Sequence, residues 1–176
     1  MEIEIKNIWH ILEQVSDPEV PVLTITDLGI VRGVKIIEAV QNSPLPAGCC
    51  AEGGGAEVEV IITPTYTGCP AMDMIAMNIK LALIENGYHK IKVTSVLAPA
   101  WTTEWMSERG KRKLKEYGIA PPHSTTRSDG ASVLVVECPQ CNSTNTKLIS
   151  EFGSTACKAL YQCNDCKEPF DYFKCH

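Results

Sequence analysis

Two Cys-x-x-Cys pairs, Cys138-Pro-Gln-Cys141 and Cys163-Asn-Asp-Cys166, stand 21 residues apart near the end of the chain. Each pair can turn both sulfurs toward one point, and two such knuckles complete a tetrahedron of thiolates around an ion such as Zn²⁺. The stretch that holds them, residues 133–176, is 44 residues long. A hydrophobic core alone seldom holds a unit of that size, so a bound metal would supply the missing folding energy. Two disulfides or a redox dithiol are the competing readings. The chain opens Met-Glu-Ile-Glu-Ile-Lys, unlike a secretory signal, so a cytoplasmic, reducing compartment is expected and disulfides are disfavoured. A thioredoxin-like dithiol belongs in a βαβ context, which these pairs lack. Four thiolates suit zinc and iron alike, so spacing does not choose between them.

Upstream, the pattern is that of a small α/β (α+β) domain over residues 1–120. Ile8, Ile11, Leu12 and Val15 fall at i, i+3, i+4 and i+7 and predict an amphipathic helix that ends at Asp17-Pro18. Leu28–Val40, Glu57–Thr63 and Ile91–Leu97 read as strands, and Met72, Ile75, Ala76, Ile79 and Leu83 mark a second helix closed at Asn86-Gly87. Residues 41–56 carry two prolines, four glycines and the adjacent Cys49 and Cys50. That composition predicts a flexible insertion on which both cysteines are incidental. Trp101–Tyr117 reads as a third helix stopped by Gly118, and its basic run Arg109-Gly110-Lys111-Arg112-Lys113 as a solvated face. Residues 121–132 have linker composition, and the metal ribbon follows at 133–176. Cys157 reads as packing, Cys175 and His176 as a loose tail; a second metal site built from these three is the lesser alternative.

Charge and hydropathy narrow the function. A net charge of −5 argues against a nucleic-acid footprint, and no apolar run reaches the ~20 residues of a membrane span. A three-stranded domain leaves a sheet edge open, which favours a homodimer. The four histidines are scattered, and no di-iron Glu-x-x-His pair, P-loop or Rossmann glycine fingerprint occurs.

Cys69 is the chemically pointed residue of this half. In Thr63-Pro-Thr-Tyr-Thr-Gly-Cys-Pro70 the proline suits a first helical position, which makes Cys69 the cap residue beside free N–H groups. The helix dipole there predicts a lowered thiol pKa and a thiolate able to act as nucleophile or metal ligand. The bland alternative is a buried small hydrophobe.

Asp17-Pro-Glu-Val-Pro21, Ile25-Thr-Asp-Leu-Gly-Ile30 and the Thr63–Pro70 segment resemble the signatures of the iron–sulfur cluster assembly (FSCA-like) domain. Pro99-Ala-Trp-Thr-Thr-Glu-Trp105, Lys113-Leu-Lys-Glu-Tyr-Gly-Ile-Ala-Pro-Pro122, Phe152–Tyr161 and Glu168–Cys175 are similar to its phenylacetate-pathway branch, the PaaD family of phenylacetyl-CoA epoxidase subunits. The resemblance spans nearly the whole chain; the insertion with Cys49-Cys50 departs from it. It implies a short mixed sheet with helices, followed by a zinc-ribbon-like module held by Cys138, Cys141, Cys163 and Cys166. It also implies that Cys69 is the thiolate that handles a cluster or metal, with Asp27 and Thr67 as signature neighbours.

The leading expectation is therefore a non-catalytic maturation factor for an iron–sulfur or iron centre of the multicomponent phenylacetyl-CoA epoxidase. It would carry structural zinc, hold iron or a cluster transiently, and meet the epoxidase subunits, the iron–sulfur reductase component above all. The alternative is a stoichiometric structural or rubredoxin-like electron-transfer component of the same complex. A stand-alone enzyme has no motif behind it.

Overall fold

The computed structural model describes residues 2–37, 56–122, 124–126 and 132–174. Cys49 and Cys50, His123, and Cys175 with His176 lie outside the described residues, as does most of the expected insertion.

The first half builds a mixed sheet with helices against it. Helix α1 (Glu2–Leu12) and the turn after it bury Ile8, Ile11, Leu12 and Val15, the stripe expected from spacing. Strands β1 (Val31–Ile37) and β2 (Glu57–Ile62) run antiparallel, and β2 pairs parallel with β3 (Ile91–Ser95). Parallel neighbours need a crossover; helix α2 (Ala71–Glu85) supplies it and contacts β3. Along β2 the side chains alternate, so Val58, Val60 and Ile62 enter the core while the intervening residues stay half-exposed. α2 buries Ala71, Ile75, Ile79 and Leu83 along one face.

Two elements differ from expectation. β1 starts at Val31 because Leu28-Gly29-Ile30 is a turn, with Gly29 at φ +68°. A Cβ on Gly29 would also lie 2.3 Å from the Trp105 carbonyl oxygen. Gly29→Ala is expected to cost about 2–3 kcal/mol, from left-handed strain plus overpacking, read as a lower urea midpoint with an unchanged slope. The expected third helix is split. A 3₁₀ turn (Thr103–Trp105) precedes α3 (Glu108–Glu116), whose true start is Ser107: its Oγ accepts the Gly110 N–H at 2.9 Å. A serine cap sets the boundary more strongly than the apolar pattern does. Trp101 instead turns inward, 4% exposed, and donates its Nε1–H to the Leu28 carbonyl at 2.8 Å.

The second half is a four-stranded sheet in the order β4 (Ile119–Ala120), β9 (Pro169–Phe173), β8 (Lys158–Cys163), β7 (Thr146–Ser150). β4 comes from the end of the first half and pairs parallel with β9, so the sheet ties the two halves together. The span expected as linker holds β5 (Ser124–Thr126), which pairs antiparallel with β6 (Ser132–Leu134). Phe173 and Cys157 from the second half sit in the same hydrophobic core as Ile8, Leu12 and Trp101, and the Trp101 and Phe173 rings meet edge-on at 6.2 Å. Among the described residues no helix is long and apolar enough to cross a membrane.

Candidate functional site

The two Cys-x-x-Cys pairs fold as matching knuckles. The N–H of Cys138 donates to the Ser143 carbonyl at 2.9 Å, and the N–H of Cys163 to the Glu168 carbonyl at 3.0 Å, the same i to i+5 closure in each. Directly after the second cysteine of each knuckle stands a residue at positive φ, Asn142 (61°) and Lys167 (67°). These closures aim four sulfurs at one point: Cys138 Sγ lies 3.7 Å from Cys166 Sγ, and Cys141 Sγ lies 3.6 Å from Cys163 Sγ. A tetrahedral ion with metal–sulfur bonds of ~2.3 Å would set its ligands ~3.8 Å apart. All four ligand atoms lie within 4.8 Å of one another, so the group fits a tetrahedral metal.

Backbone N–H groups favour the charged form at Cys141, Cys163 and Cys166, while burial and the neighbouring sulfurs leave the Cys141 and Cys166 thiols above their ordinary value. The amides of Cys166 and Asp165 bond to Cys163 and lower its thiol to about 7. Asp165 also staples the knuckles: it accepts from the Ser143 hydroxyl and, at 2.8 Å, from the Asn145 side-chain amide. Sequence reasoning missed Ser143, Asn145 and Asp165, although polar residues beside each Cys-x-x-Cys are where such a staple must sit.

Cys69 lies at the opposite end of the chemistry. The chain leaves β2 and turns through Tyr66-Thr67-Gly68-Cys69, closed by the Cys69 N–H on the Tyr66 carbonyl at 3.3 Å, with Gly68 at φ +84°. Only glycine takes that conformation without strain, which explains its place in the motif. Pro70, not Cys69, is the cap of α2, one residue later than expected. The Cys69 sulfur still receives the Ala71 N–H and the Tyr66 hydroxyl. Thr67 is exposed in the turn. A cleft of about 360 Å³, lined by Pro64, Thr65, Tyr66, Thr67, Leu97, Ala100 and Trp101, opens beside it.

The expected low pKa of Cys69 is corrected. Burial pushes the thiol above its ordinary value, the two donors oppose that, and the Glu19 and Asp17 carboxylates add to it. The helix terminus was legible; the burial and the two distant anions that outweigh it were not. Asp17 belongs to its own turn, where Oδ1 accepts the N–H groups of Glu19 and Val20 at 2.8 Å each. Burial raises the Asp17 carboxyl despite those bonds and the nearby Lys158.

Asp27, expected as the polar neighbour of Cys69, is turned toward α3 instead. Its carboxylate is fully buried and takes Arg109 Nε at 2.7 Å, Lys113 Nζ at 2.8 Å and the Ser107 hydroxyl at 2.9 Å. Burial would raise this carboxyl, but the bonds from Lys113, Arg109, Ser107 and Thr24 win and hold it well below the usual carboxylate range. The basic run of α3 is thus only partly a solvated face: Arg109 and Lys113, one turn apart, clamp one buried anion.

Cys157, expected as packing, is buried at 5% exposure but is not purely apolar in its surroundings. Its Sγ lies 3.6 Å from Glu19 Oε2 and 3.1 Å from the Thr155 hydroxyl. Burial and the neighbouring Glu19 lift its thiol to about 11, with Thr155 opposing. The adjacent Lys158 reaches across to the Glu19 carbonyl at 3.4 Å.

Comparison with known proteins places this architecture. Residues 121–174 match the family model described as the PaaD zinc beta ribbon domain. A protein of Escherichia coli (strain K12), assigned as a subunit of 1,2-phenylacetyl-CoA epoxidase, is 46% identical over 174 residues, 98% of this chain and 93% of that one. A Porphyromonas gingivalis (strain ATCC BAA-308 / W83) protein named Fe-S protein maturation auxiliary factor is 27% identical over 110 residues, 62% of this chain and 89% of its own. A crystal structure of a domain of unknown function, DUF59, from Bacillus anthracis superposes with a TM-score of 0.50 at 29% identity, covering 64% of this chain and 92% of that chain. An α+β domain of that kind continues here into a four-cysteine ribbon, and near-full-length identity joins the two halves in one relative: the chain belongs to the PaaD family of phenylacetyl-CoA epoxidase subunits.

Proposed function

We propose that the chain is a maturation factor for the iron–sulfur or iron centre of a phenylacetyl-CoA epoxidase, working as an assembly domain (1–120) joined to a metal ribbon (133–176). The observation that carries this reading is Cys69. Its sulfur is half-buried, cradled by an amide and a hydroxyl, and set beside carboxylates. A thiol that stays protonated until a cation displaces its proton suits reversible holding better than permanent storage. The maturation-factor name of the Porphyromonas gingivalis relative, aligned over 62% of this chain, supports it. The client is then another component of the epoxidase, with the iron–sulfur reductase first in line, in the cytoplasm.

The ribbon is read as a closed structural zinc site, with Cys138, Cys141, Cys163 and Cys166 as its ligands. Rubredoxin-like iron would fit the same sulfur spacing, and optical spectra separate the two. A purified chain that is colourless and contains one zinc excludes electron transfer through the ribbon, whereas red ferric–thiolate absorption would establish it.

Cys69→Ser tests the main reading. Its effect on stability is expected to stay within about 1 kcal/mol, because the side chain is half-exposed and changes little in volume. Epoxidase matured with this variant in place of the wild-type chain is expected to be deficient in iron. An epoxidase of normal iron content would overturn the assignment.

A further inference from the structure

Helix α2 carries two apolar faces. One is turned into the core and holds Ala71, Ile75, Ile79 and Leu83. The other holds Met74, Met77, Leu81 and Ile84, each between 48% and 55% exposed. Their spacing of three, four and three residues draws one stripe along the outer side of the helix, opposite the buried one. Only Asp73, Asn78, Lys80 and Glu85 interrupt the apolar sequence of α2. Single exposed hydrophobic residues are ordinary on a protein surface, whereas a helix apolar on both faces is normally covered on both.

We propose that a second copy of this chain covers the stripe, with α2 packed antiparallel on α2 of the other copy about a two-fold axis at Met77. The proposal is independent of what Cys69 holds. A two-fold interface uses one patch twice, so the patch has to suit itself when turned end for end. Centred on Met77, the turned stripe sets Met74 beside Leu81 of the other copy, twice, and Met77 beside its own counterpart. Methionine side chains, unbranched and adaptable, fit such a self-contact well.

The charges on α2 say which partner fits. Asp73 and Lys80 stand seven residues apart, about two turns, on the same flank of the stripe. Both are exposed, and neither has an ion-pair or hydrogen-bond partner among the described residues. Like flanks face each other across an antiparallel helix pair, so Asp73 of each copy comes within reach of Lys80 of the other. A different protein would have to bring a matching charge pattern, which a second copy already has. The axis leaves the two Cys69 turns at opposite ends of the helix pair, about 24 Å apart at 1.5 Å per residue. A dimer would thus carry two separate Cys69 sites.

The test is sedimentation of the full, zinc-loaded chain in reductant, from about 1 to about 200 µM. The mass is expected to climb from 19.3 kDa toward twice that value as concentration rises. Met77→Glu sets two carboxylates on the axis and should weaken the dimer about tenfold or more. Its circular dichroism should stay that of the wild-type chain, because the side chain it replaces is half-exposed. Asp73→Lys and Lys80→Asp each break two pairs by symmetry and should each weaken the dimer about tenfold. The two changes combined reverse both charges, and should restore dimerisation to within about threefold of the wild-type chain. A chain that stays monomeric throughout would overturn the proposal and leave the stripe to another protein. A dimer indifferent to Met77→Glu would overturn it as well and point to the open sheet edge. Absence of rescue in the combined charge variant would remove the antiparallel pairing.

Discussion

Cys138→Ser or Cys163→Ser is expected to unfold the whole second half of the protein, and chelation of the metal should do the same to the unaltered chain. Both residues are fully buried, and each belongs to the small cluster of Ala120, Val136, Ala159, Phe170 and Tyr172 that is the ribbon's own core. Those few residues cannot offset the conformational entropy of the strands they join. Binding of a structural zinc is worth about 10–16 kcal/mol near neutral pH, and in a unit of this size that is the folding free energy. Losing one thiolate opens the tetrahedron and leaves three mutually repelling sulfurs.

The damage would not stop at the ribbon. β9 pairs with β4, and Phe173 packs edge-on against Trp101 in the core of the first half. Unfolding β9 therefore uncovers Trp101, which is 4% exposed in the folded chain. The expected readouts are loss of dispersed amide signals from 133–174 and a red-shifted tryptophan emission. A chelated protein that kept both its dispersion and its emission maximum would show that the metal is dispensable for folding.

How much of this was legible in the sequence follows from the range of each interaction. The knuckles are local: two cysteines three residues apart state their own geometry, and only the distance between knuckles had to be closed by folding. The turn before α2 was legible for the same reason, since Gly68 and Pro70 carry their backbone preferences with them. Ser107 is equally local, but the apolar pattern running through Trp101 carries a helical period across the 3₁₀ turn and masks the cap. The ion-pair partners of Asp27 stand on α3, more than eighty positions away, and no local pattern reports them. Cys157 and Glu19 are further apart still, 138 positions, and no periodicity reports such a contact. The misjudged pKa of Cys69 has the same origin: the helix end that lowers it is adjacent in sequence, and the burial and carboxylates that raise it are tertiary.

Removing the Asp27 carboxylate is expected to destabilise the first half by about 3–5 kcal/mol in Asp27→Ala and by about 2 kcal/mol in Asp27→Asn. The side chain is fully buried and joins the Ile25–Ile30 turn to the start of α3 through Ser107, Arg109 and Lys113. Alanine leaves Ser107 and both cations without their acceptor and opens a void. Asparagine keeps the shape and one carbonyl but not the charge, and Arg109 and Lys113, being partly exposed, regain water. The sign with pH follows from the depressed carboxyl. A group whose folded-state pKa lies below its unfolded value near 3.9 adds stability that is fully present above about pH 5. That stability is lost as pH falls past the unfolded value toward the lower folded one. Urea midpoints measured from pH 7 down to pH 2 should therefore fall steeply below pH 4 in the wild-type chain and more gently in Asp27→Asn, the two curves converging in acid. Parallel curves across the range would mean that the carboxylate is held by shape alone and that Arg109 and Lys113 are spectators on α3.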